Sequence, residues 1–86
     1  MLSNRHFLIT SHAMDKKQDA LRKLGRRLTE LRHRQNLTLE QLSTSSGISI
    51  QELTAIEAGE TDPALTTVFH ICRGLGLSPN ELLPPG

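Results

Sequence analysis

The chain has 86 residues, 36% of them hydrophobic, with two aromatics (Phe7 and Phe69) and a formal net charge of +1 from ten Lys/Arg against nine Asp/Glu. A chain this short forms one domain that buries about 60% of its unfolded surface, so an aliphatic core must use nearly every Leu and Ile. The single cysteine, Cys72, excludes an internal disulfide framework, no run approaches the ~18–20 apolar residues of a membrane span, and Phe7-Leu8-Ile9 is shorter than the apolar region of a signal peptide.

A free thiol in a small domain without staples points to a reducing compartment, so a cytoplasmic location is expected. The near-neutral total hides an uneven distribution. Residues 1–34 carry nine basic groups against three acidic ones, a balance of +6. Residues 35–86 carry Arg73 alone against six acidic groups, a balance of −5. The molecule is dipolar.

In chain order, residues 1–14 read as an N-terminal arm or extension. Asn4 to Thr10 favours extended structure or disorder, because Phe7, Leu8, Ile9 and Thr10 have strand propensity. From about Asp15 the pattern turns helical. Leu21, Leu24, Leu28 and Leu31 recur at spacings of three and four, which predicts a helix to about Gln35 with Asn36 closing it in a left-handed conformation. Gly25 inside that helix weakens it by roughly 1 kcal/mol relative to Ala. Thr38-Leu39-Glu40-Gln41 is a capping-box sequence and starts helix two, with Leu39 and Leu42 on its apolar face. That helix ends near Ser45, and Ser46-Gly47-Ile48 forms a turn. Ser49-Ile50-Gln51-Glu52 is a second capping-box sequence, with Leu53 and Ile56 following and Gly59 as the stop.

Asp62-Pro63 predicts the start of a fourth helix, Asp as N-cap and Pro at the first helical position. Its buried stripe is Leu65, Val68, Ile71, Cys72 and Leu75, ended by Gly76. Ser78-Pro79-Asn80-Glu81 is a third capping-box sequence, followed by Leu82 and Leu83, and residues 84–86 form a tail. The expected fold is all-α with five helices in one domain over 15–83. Two short helices joined by a glycine-containing turn make a helix-turn-helix layout. Leu42, Ile48, Leu53 and Ile56 form its small core.

The run Leu37-Thr38-Leu39-Glu40-Gln41-Leu42, then Gly47-Ile48-Ser49, Ile56-Glu57-Ala58-Gly59, Pro63, and Val68 through Ile71, Cys72 and Leu75 to Leu77 resembles the Cro and phage-repressor type of helix-turn-helix domain, the xenobiotic-response-element family. The resemblance covers about residues 21–83. It implies a phage-repressor-like five-helix DNA-binding domain that acts as a homodimeric transcriptional regulator on double-stranded, palindromic DNA. It also implies that Arg32 pairs with Glu57 to tie helix one to helix three, and that a recognition helix at about 49–58 enters the major groove. The positions it maps to the groove are Ser49, Ile50, Gln51, Glu52, Thr54 and Ala55; independently of the resemblance, the helix N-terminus at Thr38 offers free amides to phosphates, and Arg34, with His33, Arg26 and Arg27, is a cation that can flank the duplex. Gln51 suits bidentate reading of adenine, Ile50 and Ala55 suit thymine methyls, and Glu52 suits a cytosine amino group unless its capping box uses it. Thr54 is placed for a phosphate.

Three features depart from the family pattern. Leu39 stands where a Gln commonly touches phosphate, Glu60-Thr61-Asp62 fills a loop that often carries Lys or Arg, and no Lys or Arg occurs from Gln35 to Cys72. Phosphate contacts supply most non-specific affinity, so the expectation is weak, salt-tolerant binding. Dimer contacts are expected from Phe7, Ile9, Phe69, Leu82 and Leu83. The other open function class is a protein-interaction module on the same fold, with weak or no DNA binding and a basic helix one that meets an acidic partner. No catalytic group, cofactor or metal is expected. His6, His12, His33 and His70 show no ligand spacing with Cys72, and Cys72, on an apolar stripe, reads as an inert core thiol.

Overall fold

The computed structural model describes the backbone of residues 2–83 and the side chains of residues 15–83. Five helices follow in order: α1 (Leu2–Arg34), α2 (Leu39–Ser46), α3 (Ile50–Glu57), α4 (Leu65–Leu75) and α5 (Pro79–Leu82). No strand occurs among the described residues, as the periodicity requires. α1 packs on α3 and α5, α2 packs on α3 and α4, and α5 bridges α1 and α4. One core joins Leu24, Leu28 and Leu31 of α1 to Leu42, Leu53 and Ile56 of the helix-turn-helix, to Val68, Ile71, Cys72 and Leu75 of α4, and to Leu82 of α5. Leu37, Leu39, Ile48 and Leu77 close it from the rim.

α1 begins at Leu2, so the backbone of Asn4–Thr10 is helical, not extended. A lone strand has no ladder to join, and strand propensity depends on such partners. Adding residues to a nucleated helix costs less than starting one, and the stretch from Leu21 onward supplies that nucleus. The side chains of Phe7 and Ile9, and the tail at 84–86, lie outside the described residues. At its other end α1 closes as expected, with Asn36 at φ 58°.

Gly25 is the point where α1 meets α3. A Cβ built there would lie 2.5 Å from the Ile56 carbonyl oxygen and 2.8 Å from the Glu57 carbonyl carbon. The two helix backbones touch, and only a residue without a side chain fits. Gly74 serves the α4–α2 contact in the same way, where a Cβ would lie 2.9 Å from the Ser46 Cα.

α4 starts at Leu65, with Ala64 as N-cap and no side-chain capping bond, rather than at Asp62-Pro63. Asp62 instead lies 3.6 Å from Lys17 Nζ. The loop from α3 needs those residues before α4 can turn Val68 into the core. Leu65 therefore sits at the open end of the stripe, 64% exposed, and does not join the core. Leu82 and Leu83 also part company: Leu82 is 1% exposed and Leu83 44%. Leu82 is committed to the core and is withdrawn as a dimer contact, because α5 is one turn long and only one of two adjacent side chains can face inward.

Cys72 is buried in that core. Burial pushes its thiol up from its ordinary range, with the Glu81 charge adding to the shift. Thiolate is the reactive form, so the folded protein is expected to resist a thiol reagent at neutral pH and to label fully after unfolding in denaturant. Rapid labelling of the native state would contradict this burial.

Candidate nucleic-acid interface

α2 and α3 are separated by Gly47-Ile48-Ser49. Gly47 takes a left-handed conformation, with φ 77°, and its amide donates to the Ser43 carbonyl. Ser46, fully buried, turns its hydroxyl to accept from the Ile48 amide at 3.1 Å. These local bonds set the angle between the two helices, and Ile48 packs beneath both.

The α2 start is closed in both directions. Thr38 Oγ1 accepts from the Gln41 amide at 3.0 Å, and Gln41 Oε1 accepts from the Thr38 amide at 2.8 Å. Leu39 packs against the core, so it offers nothing to a phosphate. At α3 the second capping-box sequence is only half closed. Ser49 Oγ accepts from the Glu52 amide at 3.1 Å, and among the described residues no bond runs back from Glu52 to the Ser49 amide. The Glu52 carboxylate is therefore not committed to capping.

The far end of α3 is held by charge. Arg32 Nε donates to Glu57 Oε2 at 2.7 Å and Nη2 donates to Oε1 at 3.0 Å, a two-pronged pair. A third nitrogen, Nη1, donates to the Leu37 carbonyl at 2.8 Å. Both side chains are almost wholly removed from solvent, and the Glu57 carboxylate holds the Arg32 guanidinium above its usual range, partly offset by burial. One arginine thus joins α1, the C-terminal turn of α3 and the strand-like link that enters α2. The pairing implied by resemblance is formed.

With Leu53 and Ile56 inward, the outward face of α3 carries Gln51 and Thr54, continued by the C-cap Ala58, with Ile50 and Glu52 also exposed and Ala55 half-buried. Gln51 lies at the centre of this face by helical spacing. The Thr54 hydroxyl donates to the Ile50 carbonyl at 2.7 Å, so it must rotate before it can donate to a phosphate. Arg34 is exposed in the last turn of α1.

Three of the remaining cations, Lys23, Arg26 and Arg27, lie on α1 beside α5, whereas Arg22 lies against Gly59 after α3, Lys17 beside Asp62 and Arg73 on α4 beside His70. Arg27 Nε donates to the Glu81 carbonyl of α5 at 3.0 Å, and Lys23 pairs with Asp19 at 3.0 Å. A shallow cavity between α1 and α5 is lined by Lys23, Arg26, Arg27, Glu30, Asn80, Glu81 and Leu83. The cavity gathers Lys23, Arg26 and Arg27 of α1 beside α5, whereas Arg32 of the same helix meets α3. Among the described residues no group of three or more His, Cys, Asp or Glu is placed to hold a metal ion, and no helix is long and apolar enough to cross a membrane. Sequence reasoning missed Gly25 and Gly74, whose only signal was a glycine inside a helical run.

Comparison with known proteins gives one answer. A family model described as a helix-turn-helix domain matches residues 23–83. An HTH-type transcriptional regulator of Sinorhizobium fredii, y4dJ, is 36% identical over 66 residues, covering 76% of this chain and 86% of that protein. The restriction-modification controller protein C.AhdI from Aeromonas hydrophila superposes with a TM-score of 0.72 at 32% identity, over 73% of this chain and 96% of that one. An HTH_3 family transcriptional regulator from Vibrio cholerae superposes with a TM-score of 0.75 at 27% identity, over 77% of this chain and 37% of that one.

Proposed function

The chain belongs to the helix-turn-helix domain family, and from that premise we propose that it binds double-stranded DNA as a homodimeric transcriptional regulator, with α3 in the major groove. The observation that carries this reading is the mounting of α3. Its outward face presents Gln51 and Thr54, exposed and without a tertiary hydrogen bond among the described residues, while Arg32–Glu57 and the Gly25 contact hold the helix from behind. In such domains the N-terminal part of the second helix reads base edges. Gln51 suits adenine, and Ile50, 42% exposed, suits a thymine methyl.

Backbone contacts in this reading come from the α2 start, where the Leu39 and Glu40 amides and the Thr38 O–H point outward from the first turn, and from Arg34. Dimerisation rests on exposed apolar side chains: Phe69 is 48% exposed, one turn after Leu65 on α4, and Leu83 is exposed beyond α5. Phe7 and Ile9 remain candidates from sequence alone.

Selection of bound sites from a random duplex pool tests the proposal. Two-fold related half-sites separated by about 10 base pairs, or multiples of it, are the expected result. Few cations reach the duplex, so the log–log dependence of affinity on salt is expected to be shallower than about 5, from ~0.9 per phosphate contact. A steeper slope would show that the basic flank of α1 also engages the duplex. The absence of Lys and Arg from Gln35 to Cys72 favours one second reading, a protein-interaction module on this fold. A protein that neither stays on heparin nor shifts random duplex at low salt would select that reading instead.

A further inference from the structure

Three helices of this chain begin with a capping-box sequence, and in two of them the side chain of its last residue reaches back to the N-cap amide. At α2 the Gln41 side chain accepts from the Thr38 amide at 2.8 Å, and at α5 the Glu81 side chain accepts from the Ser78 amide at 3.0 Å. Glu52 has the same sequence opportunity at α3, yet among the described residues its carboxylate makes no such bond and no ion pair. It is exposed, in the first turn of the helix and one residue after Gln51.

A free carboxylate on a surface facing DNA is unfavourable unless it accepts a hydrogen bond. In the major groove only cytosine and adenine present a donor. Adenine sets its N6 amino group beside the N7 acceptor, which repels a carboxylate. Guanine offers N7 and O6, thymine offers O4, and both are acceptors. Cytosine N4 has an acceptor, the O6 of its paired guanine, on one side only and its own C5–H on the other, whereas adenine N6 lies between N7 and the O4 of its paired thymine. Glu52, which has acceptors only when ionised, matches cytosine and opposes guanine. Glutamine would not discriminate in this way, because its amide both donates and accepts.

We propose that Glu52 is a specificity-determining residue that selects cytosine, and rejects guanine, at one position of each half-site. This rests on the DNA-binding reading above and extends it to base choice. The selectivity is negative as much as positive: the carboxylate lowers affinity for every site and lowers it least where a cytosine amino group meets it.

The test is site selection with the unaltered protein, Glu52→Gln and Glu52→Ala, followed by titration of matched duplexes that differ only at the selected position. Circular dichroism confirms that each variant is folded. The unaltered protein is expected to prefer cytosine over guanine at one position per half-site by at least about fivefold. Both variants lose that preference, keep the other selected positions, and bind random duplex more tightly than the unaltered protein. If both variants bind more tightly but select the same bases, Glu52 faces the phosphates and the proposal is overturned while DNA binding stands. If the unaltered protein selects no sequence, both readings fail together.

Discussion

Replacing Gly25 by alanine is expected to destabilise the protein by about 2 kcal/mol, although the same change in an isolated helix would stabilise it by about 1 kcal/mol. The new Cβ would fall within 2.5–2.8 Å of the Ile56 carbonyl oxygen and the Glu57 carbonyl carbon. These are backbone atoms, held by α3's own hydrogen bonds and by the Arg32 clamp, so they cannot swing aside as a long side chain would. The helices must separate, and the packing of Leu28 against Leu53 and Ile56 loosens with them. Urea unfolding at constant slope measures the change. Ala20→Gly, at an exposed position of the same helix, is the control and is expected to cost about 1 kcal/mol. A Gly25→Ala protein as stable as the parent would mean that α1 and α3 are not in backbone contact.

Removing one half of the Arg32–Glu57 pair carries the other large effect. Glu57→Ala is expected to cost about 3–5 kcal/mol, since it leaves a buried guanidinium with only the Leu37 carbonyl as partner. A domain of this size has on the order of 5–10 kcal/mol in total, so a large part of its stability goes. Arg32→Ala should cost a similar amount and also release the link that leads into α2. The double replacement Arg32→Met with Glu57→Leu is expected to recover most of the loss, because two apolar side chains of similar volume need no charge compensation. Salt should change the parent's stability little through this pair, since burial shields it from screening. A single-site cost below about 1 kcal/mol would place the pair among ordinary surface ion pairs.

The two effects act on one helix. α3 is eight residues long, too short to persist alone in water. Its position comes from Leu53 and Ile56 in the core, from Gly25 beneath its C-terminal half, and from Arg32 at its last turn. A reading helix must hold its side chains in fixed register against base edges. A variant that loosens either support is therefore expected to lose site discrimination before it loses the fold.

Short-range rules read well from this chain. The Thr38 and Ser78 boxes, the left-handed stops at Asn36, Gly59 and Gly76, and the leucine stripe of α1 all depend on residues within one or two turns. The same holds for Ile48, whose apolar character in a polar turn marks it as core. Rules that involve a second element read less well. Gly25 looks like a weak point of helix one until α3 is laid across it. Asp62-Pro63 carries every mark of a helix start, yet the loop needs those residues to bring Val68 over the core. Leu82 and Leu83 are equivalent in sequence, and only the docking of α5 between α1 and α4 separates them.

Charge shows the same division. Its uneven split along the chain was visible at once, as was the absence of cations from the helix-turn-helix. What the split means for a duplex was not, because it depends on which side of α1 each cation occupies. The number and order of the five helices and the starts at Thr38, Ser49 and Ser78 were legible in the sequence through local bonding, and the Arg32–Glu57 pairing was implied by the family resemblance. Only the tertiary structure decided that α1 turns Gly25 and Arg32 toward α3 and Arg27 toward α5. A helix distributes its residues around an axis, and the sequence carries that distribution but not the direction in which the packed core points it.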